Sequence, residues 1–249
     1  MMFFVGLLGV AIGSFLNVLI DRIPKGEDIV WKPSYCDYCK KRLRWFELIP
    51  LISFIMQRRR CTRCRKRLSW QYPAVELATG IGFVLLYWHH PDSLLRLFAY
   101  SLILCCLLVL FVIDWKHMIL PDSLLGMVLG TTIILGVFLP PSDRFTHVGS
   151  AVASGVLFLG LWAITRGRGL GFGDVKLVTV LGLLLGYPHT VIAWYAAFLT
   201  GAMWGVILMI RRHASMKSRI AFGPFLIAGA AGAIVWGDTI WRWWVRVSV

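Results

Sequence analysis

Apolar runs long enough to cross a bilayer recur along the whole chain, and they constrain its fold more than any other feature. Hydrophobic residues make up 58% of the 249 positions, whereas soluble domains contain about 45–50%. A transmembrane helix needs about 20 consecutive, mostly apolar residues. The sequence therefore predicts an all-α polytopic membrane protein with about eight transmembrane helices, over residues 1–20, 73–90, 94–113, 123–139, 148–165, 175–189, 190–210 and 220–241.

The apolar runs divide the chain into three parts. Residues 1–20 form the first helix, and we expect it to be retained, since no basic segment precedes it and no small-residue cleavage site follows it. Residues 21–72 are the only polar segment large enough for a small loop domain. Residues 73–249 are expected to form a membrane domain of seven helices.

Lys and Arg residues are distributed unequally between the two ends of the predicted helices. With the N-terminus outside, the inner segments are 21–72, 114–122, 166–176 and 211–219. All but four of the 26 Lys and Arg residues then fall inside, the exceptions being Arg96, Arg144, Arg242 and Arg246. Because cytoplasmic loops are enriched in these residues, we expect residues 21–72 in the cytoplasm and both termini outside.

Two C-x2-C pairs, Cys36 with Cys39 and Cys61 with Cys64, lie in this loop. Such pairs present four thiolates tetrahedrally to zinc, and four cysteines leave no coordination position for water. Structural disulfides are rare in the reducing cytosol, and a redox motif would not need two copies. The spacing therefore predicts a structural Zn2+ site in a small cytoplasmic zinc-binding loop domain.

The loop is also strongly basic, in a chain with a formal net charge of +14. Its basic residues alternate with aromatic ones, a composition that is also found at nucleic-acid interfaces. A loop beside the inner leaflet meets anionic lipid headgroups first. We therefore expect the bilayer as its partner and no nucleic acid, and we expect residues 48–56 to be interfacial.

Two aspartates at predicted inner helix ends lack a simple structural role. Asp114 closes an apolar run, where a negative charge opposes the helix dipole. Asp174 follows Gly171 and Gly173, which allow close backbone approach and positive φ. Asp174 alone would be an ordinary N-cap, but the orientation places it level with Asp114. The other inner acids, Asp122 and Glu76, are interpreted as helix-start residues.

Two carboxylates that meet in a partly dry site share a proton, so their titrations are coupled. One can then activate water while the other, protonated, polarises the scissile carbonyl. Asp114 and Asp174 are therefore the candidate dyad of an aspartic peptidase. Two alternatives stay open: a transporter would need these acids at mid-membrane, and a zinc-dependent scaffold would leave them unexplained.

Five segments carry a family resemblance. They are "GSFLNVLIDRIP" (13–24), the two C-x2-C pairs, "RLSWQYPAVELATG" (67–80), "IDWKHMILPD" (113–122) and "GFGDVKL" (171–177). In this order they resemble the type IV prepilin peptidases, membrane aspartic proteases that also methylate the new N-terminus. A G-x-G-D motif alone is weak, but five ordered motifs with four cysteines are specific.

The resemblance implies that Asp114 and Asp174 are the catalytic residues and that the four loop cysteines are the zinc ligands. Many members have an acid two residues after the first aspartate, where this chain has Lys116, so Lys116 is assigned no role. No residues for a methyl-donor site are implied.

The resemblance also implies a substrate and a location. The substrate would be a prepilin or pseudopilin, cut after a glycine at the cytoplasmic face of the bacterial inner membrane. S-adenosylmethionine would then supply a methyl group to the new amine. Since a basic leader is repelled by a basic loop, we expect an acidic patch of Glu27, Asp28 and Glu47 to contribute to leader docking.

Overall fold

Helices form nearly all of the regular structure in this computed structural model, which describes residues 1–36, 38–89, 93–167, 169–211 and 220–248. Within these ranges the only β-structure is two isolated bridges in the cysteine loop. The helices are α1 (Met2–Arg22), α2 (Ile52–Met56), α3 (Gln71–His89), α4 (Leu94–His117), α5 (Asp122–Val137), α6 (Pro141–Thr165), α7 (Phe172–Leu185), α8 (His189–Ile210) and α9 (Gly223–Ser248). The predicted all-α fold is confirmed.

Each of the eight predicted spans overlaps one helix, and α2 is an additional short helix in the loop. In the described part of the chain, five helices are long and apolar enough to cross a membrane, namely α1, α4, α6, α8 and α9. The helices α5 and α7 are shorter, with 16 and 14 residues. The chain is therefore a polytopic helical membrane protein, and the number of eight crossings stays a prediction.

Several helix ends differ from the predicted ones. The helix α6 begins at Pro141 rather than at residue 148, because proline fits the first helical position and the following polar residues continue the helix. The helix α7 ends at Leu185, since Gly186 adopts φ +67 and stops it. The predicted inner segment 211–219 lies, apart from Arg211, outside the described residues.

The chain divides into two compact units, Met1–Val109 and Leu110–Val249. In the first unit α1 and α3 run antiparallel in close contact. A Cβ atom at Gly9 would lie 2.9 Å from the Cα of Gly80, and one at Gly13 would lie 2.7 Å from the Cα of Glu76. Small residues of this kind let membrane helices approach closely, so α3 is fixed along α1.

The second unit is built around α7, which contacts α5, α6, α8 and α9. Its residues Leu177, Val178 and Leu181 are at most 3% exposed. A short helix that is apolar on all sides is typical of a buried core helix. The first turn of α7, which carries Asp174, is thereby held among the neighbouring helices.

Candidate active site and metal centre

Asp114 lies in the last turn of α4, and only 4% of its surface is exposed. The helix ends three residues later, at His117. Met118 then has φ +55, and its backbone N–H donates to the Asp114 carbonyl oxygen at 2.9 Å. This tight turn leads within a few residues to Pro121, the N-cap of α5. The predicted position of Asp114 at a helix C-terminus is therefore correct.

Asp174 is the third residue of α7 and is 7% exposed. Its Oδ2 atom accepts the backbone N–H of Gly171 at 3.0 Å, so Gly171, rather than Asp174, is the N-cap. Neither glycine uses the positive φ that glycine allows, since Gly171 has φ −76 and Gly173 lies in the helix. Gly173 instead provides space, because a Cβ there would lie 3.2 Å from the side chain of Leu120.

The structure brings Asp114 and Asp174 together. Both carboxylates are buried, and they are close enough for their charges to interact. Within the described residues, Oδ2 of Asp114 is buried and has no hydrogen-bond partner. A buried carboxylate oxygen in that state is unfavourable when it is charged, and protonation of one of the two groups relieves the cost. The arrangement fits two acids whose charges interact, with one oxygen of Asp114 free to contact a substrate.

Gly223 is a third element of this site that the sequence analysis missed. It begins α9, and its backbone N–H faces the Asp114 carboxylate without making a hydrogen bond to Oδ2. A Cβ atom at residue 223 would lie 2.5 Å from Oδ2 of Asp114, closer than such atoms approach. The Gly-Pro pair in "AFGPFL" (221–226) is the sequence signal, because proline favours the start of a helix.

An exposed ion pair lies beside the dyad at the starts of α5 and α7. The Nζ atom of Lys176 is 2.7 Å from Oδ1 of Asp122, which occupies the first turn of α5 as predicted. Exposed pairs contribute only about 0–1 kcal/mol. The Lys176–Asp122 pair therefore contributes little to the stability of this region.

The interpretation of Glu76 as a helix-start acid is wrong. The helix α3 already begins at Gln71, and Glu76 is buried in its second turn. Its carboxylate accepts the backbone N–H of Leu51 at 2.8 Å and a hydrogen bond from the Ser14 side chain. Glu76 thus ties the start of α2 to the α1–α3 pair.

The four loop cysteines converge on one point. The Sγ atoms of Cys36, Cys39, Cys61 and Cys64 all lie within 4.8 Å of one another, and those of Cys36 and Cys64 are 3.9 Å apart. Four sulfurs around a tetrahedral zinc ion would be about 3.8 Å apart, because each Zn–S bond is about 2.3 Å. The donor set and its spacing therefore fit a zinc ion.

The two cysteine pairs share one backbone conformation. In each, the N–H of the first cysteine donates to the carbonyl oxygen five residues later, at 3.0 Å. Lys40 and Arg65 occupy matching positions with φ +54 and +55, and their N–H groups donate back to the carbonyls of Cys36 and Cys61 at 2.8 and 3.0 Å. Two similar tight turns thus face each other with their sulfurs inward.

The electrostatics around the thiols differ between the pairs. Burial raises the pKa of the Cys36 thiol to about 11. Burial also raises the pKa of Cys61, but hydrogen bonds from the backbone of Cys64 and Arg63 outweigh it and lower this pKa to about 7. A metal ion requires all four groups as thiolates, so zinc binding would release protons.

Arg22 connects the first helix to the cysteine loop. It ends α1 and is 5% exposed. Its guanidinium donates to the carbonyl oxygens of Asp28 (2.8 Å), Lys32 (2.9 Å) and Pro33 (2.9 Å). It also lies 5.5 Å from the ring centroid of Tyr35. One buried cation thereby organises the chain that leads into the first cysteine pair.

The expected acidic patch does not include Glu47. This side chain is 7% exposed, and it accepts hydrogen bonds from the backbone of Arg44 (2.7 Å) and from the hydroxyl of Thr62. Burial raises the pKa of Glu47, but these donors outweigh it and hold the pKa below its ordinary value. Glu47 is structural, while leader docking by Glu27 and Asp28 stays a prediction.

Two family models match the chain, one over the cysteine cluster and the other over the two aspartates. The bacterial peptidase A24 N-terminal domain matches residues 7–90, which contain the four cysteines. The type IV leader peptidase family matches residues 101–206, which contain both aspartates.

Curated relatives match the chain over almost its full length. A prepilin leader peptidase/N-methyltransferase from Bacillus subtilis (strain 168) is 30% identical over 243 residues, covering 98% of this chain and 97% of that relative. Proteins of the same name from Pseudomonas aeruginosa and Legionella pneumophila are each 31% identical over 97% of this chain, covering 92% and 93% of those relatives. No solved structure gives a significant match.

Proposed function

The chain belongs to the type IV leader peptidase family, and from that premise we propose that Asp114 and Asp174 are the dyad that removes the leader peptide from a prepilin or pseudopilin. The observation that carries the assignment is the burial of both carboxylates within interaction distance at the ends of α4 and α7. Within the described chain, the free Oδ2 atom of Asp114 supports it further.

The proposed reaction needs no nucleophilic side chain. One carboxylate takes a proton from water, and the oxygen of that water bonds to the scissile carbonyl carbon. The other, protonated, carboxyl gives its proton to the carbonyl oxygen, which yields a neutral tetrahedral intermediate. The intermediate then collapses and its C–N bond breaks. The carboxyl group that took the proton from water gives it to the leaving amine, and the other carboxylate takes back a proton from a hydroxyl of the intermediate.

The side of the membrane is also part of the proposal. We place the dyad and the cysteine loop on the cytoplasmic side of a bacterial inner membrane, with the N-terminus outside. The distribution of Lys and Arg supports this orientation. A prepilin would then present its basic leader in the cytoplasm and its apolar helix in the bilayer, with the bond after the leader's terminal glycine at the dyad.

Methylation of the new N-terminus is the second proposed activity. The curated relatives carry N-methyltransferase in their names, and S-adenosylmethionine is the methyl donor that we propose. Its methyl group would pass to the deprotonated amine that cleavage releases, forming a C–N bond and leaving the thioether product. We assign no residues to this step.

A zinc ion held by Cys36, Cys39, Cys61 and Cys64 is the third part of the proposal. With four sulfur ligands the ion would be structural and would fix the fold of the loop domain 21–72, between the first helix (1–20) and the peptidase helices (73–249). A loop of this size has little core of its own, so the metal would supply much of its folding free energy.

Replacing a loop cysteine should remove zinc. We expect Cys61→Ser to lower bound zinc from about one ion per chain to near zero, and to make the loop more sensitive to limited proteolysis. Cys105→Ser is the matched control, since Cys105 lies outside the cluster. Elemental analysis of the purified proteins gives the readout, and undiminished zinc in Cys61→Ser would contradict the site.

Mass spectrometry of a prepilin substrate tests the proposed activities directly. Full-length protein in nanodiscs, mixed with a purified prepilin, should shorten the substrate by its leader. Addition of S-adenosylmethionine should increase the mass of the mature product by one methyl group, and its omission should leave cleavage intact. A prepilin that stays intact under all conditions would exclude the peptidase assignment, whereas cleavage without methylation would exclude only the second activity.

A further inference from the structure

The short helix α2 is tied to α1 and α3 at its N-cap, Leu51. Its preceding residue Leu51 is hydrogen-bonded to Glu76, which also interacts with Ser14 of α1. Ser14 precedes the end of α1 at Arg22 by eight residues, which corresponds to roughly 12 Å along a helix. The start of α2 is therefore level with the body of α1, not with the polar segment beyond its end.

The outer face of α2 is apolar and exposed. Ile52, Ile55 and Met56 are 55%, 74% and 76% exposed, whereas Phe54 is buried and lies 5.3 Å from the ring centroid of Trp70. Three large apolar side chains exposed together are unfavourable in water. At the depth set by Ser14, they suit the boundary between headgroups and acyl chains, where amphipathic segments insert.

Two arginines follow α2 in an unusual backbone conformation. Arg58 and Arg59 have φ +47 and +59, a region that costs free energy for residues with a side chain. The guanidinium of Arg59 lies 4.5 Å from the ring centroid of Trp70. In the described part of the chain, Nε of Arg59 is buried without a hydrogen-bond partner. The Arg59 guanidinium, with a free Nε–H donor, is thus held beside the apolar side chain of Trp70.

These features line a shallow, open groove of about 350 Å³. It is lined by Phe54, Ile55, Arg58, Arg59 and Trp70. We propose that this groove binds the phosphate of an anionic phospholipid, with the apolar face of α2 inserted among the acyl chains. Two guanidinium groups match an anionic phosphate in charge and geometry, and like charge excludes a basic leader peptide.

Native mass spectrometry of the full-length protein tests the groove. The protein is released from nanodiscs that contain phosphatidylglycerol and phosphatidylcholine in equal amounts. It should retain phosphatidylglycerol preferentially. The double variant Arg58→Gln/Arg59→Gln should lower the affinity for phosphatidylglycerol by about tenfold, since two charge-assisted contacts are lost. The variant Lys41→Gln/Arg42→Gln removes the same charge from exposed positions at the first cysteine pair and should keep the affinity of the original chain.

Three results would overturn the proposal. Equal retention of the two lipids would show that anionic charge is not recognised. An equal loss of affinity in both double variants would indicate diffuse attraction rather than a groove. Equally tight binding of glycerophosphoglycerol, which lacks acyl chains, would show that a free phosphate suffices and that α2 is not inserted. Unchanged zinc content in both variants verifies that the loop is folded.

Discussion

Leader removal is expected to fall by about 10²–10⁴-fold when either Asp114 or Asp174 is replaced by asparagine. Asparagine keeps the shape of the side chain but can neither take a proton from water nor give one to the leaving amine. Because each carboxylate depends on the other for the shared proton, the double variant should be little slower than either single one. Single-turnover cleavage of a prepilin in nanodiscs measures the chemical step.

Asp122→Asn is the matched control for these variants. Asp122 lies near Asp114 in the chain but is exposed and pairs with Lys176. Its replacement should change the stability by at most about 1 kcal/mol and leave the cleavage rate nearly unchanged. A normal rate in either Asp114→Asn or Asp174→Asn would show that the dyad is wrongly assigned. A loss in all three variants alike would point to a disturbed fold instead.

Gly223→Ala is expected to lower kcat for leader removal by about 10–100-fold with little change in KM. The added Cβ would lie 2.5 Å from Oδ2 of Asp114, so either the carboxylate or the start of α9 must move. A displacement of about 1 Å at a reacting group can cost about 100-fold in rate. Leader docking, which we expect at Glu27 and Asp28, should be nearly unaffected.

Gly232→Ala separates this steric effect from a change in helix propensity. Both glycines lie in α9, and alanine favours a helix over glycine by about 0.5–1 kcal/mol. At residue 232 the nearest atom to a new Cβ is a Trp236 ring carbon at 4.0 Å, which is an ordinary contact. We expect normal kcat for Gly232→Ala, and equal kcat in the two variants would refute a positioning role for Gly223.

The role of Glu76 and the burial of Glu47 needed the tertiary structure. Glu76 and Glu47 each follow a pattern that local reasoning interprets as a helix start or a surface charge. In the structure their carboxylates accept backbone N–H groups of Leu51 and Arg44. The Leu51 N–H comes from the N-cap of α2, 25 residues away in the chain, so no local sequence pattern specifies that contact.

The sequence by itself determined the features that depend on neighbouring residues. Apolar runs specify helices because each backbone hydrogen bond closes within four residues. The C-x2-C pairs specify tight turns, because two cysteines three positions apart can approach one metal ion only if the chain turns between them. The placement of Asp114 at the end of one helix and of Asp174 at the start of another followed from the same local rules.

The tertiary structure alone decided which of these features meet. Gly223 is far from Asp114 in the chain, yet its missing side chain leaves the space that the carboxylate oxygen occupies. The depth of α2 likewise depends on one hydrogen bond from Leu51 to Glu76. Such contacts arise from how helices pack, and packing depends on the shapes of all the surfaces at once rather than on any single segment.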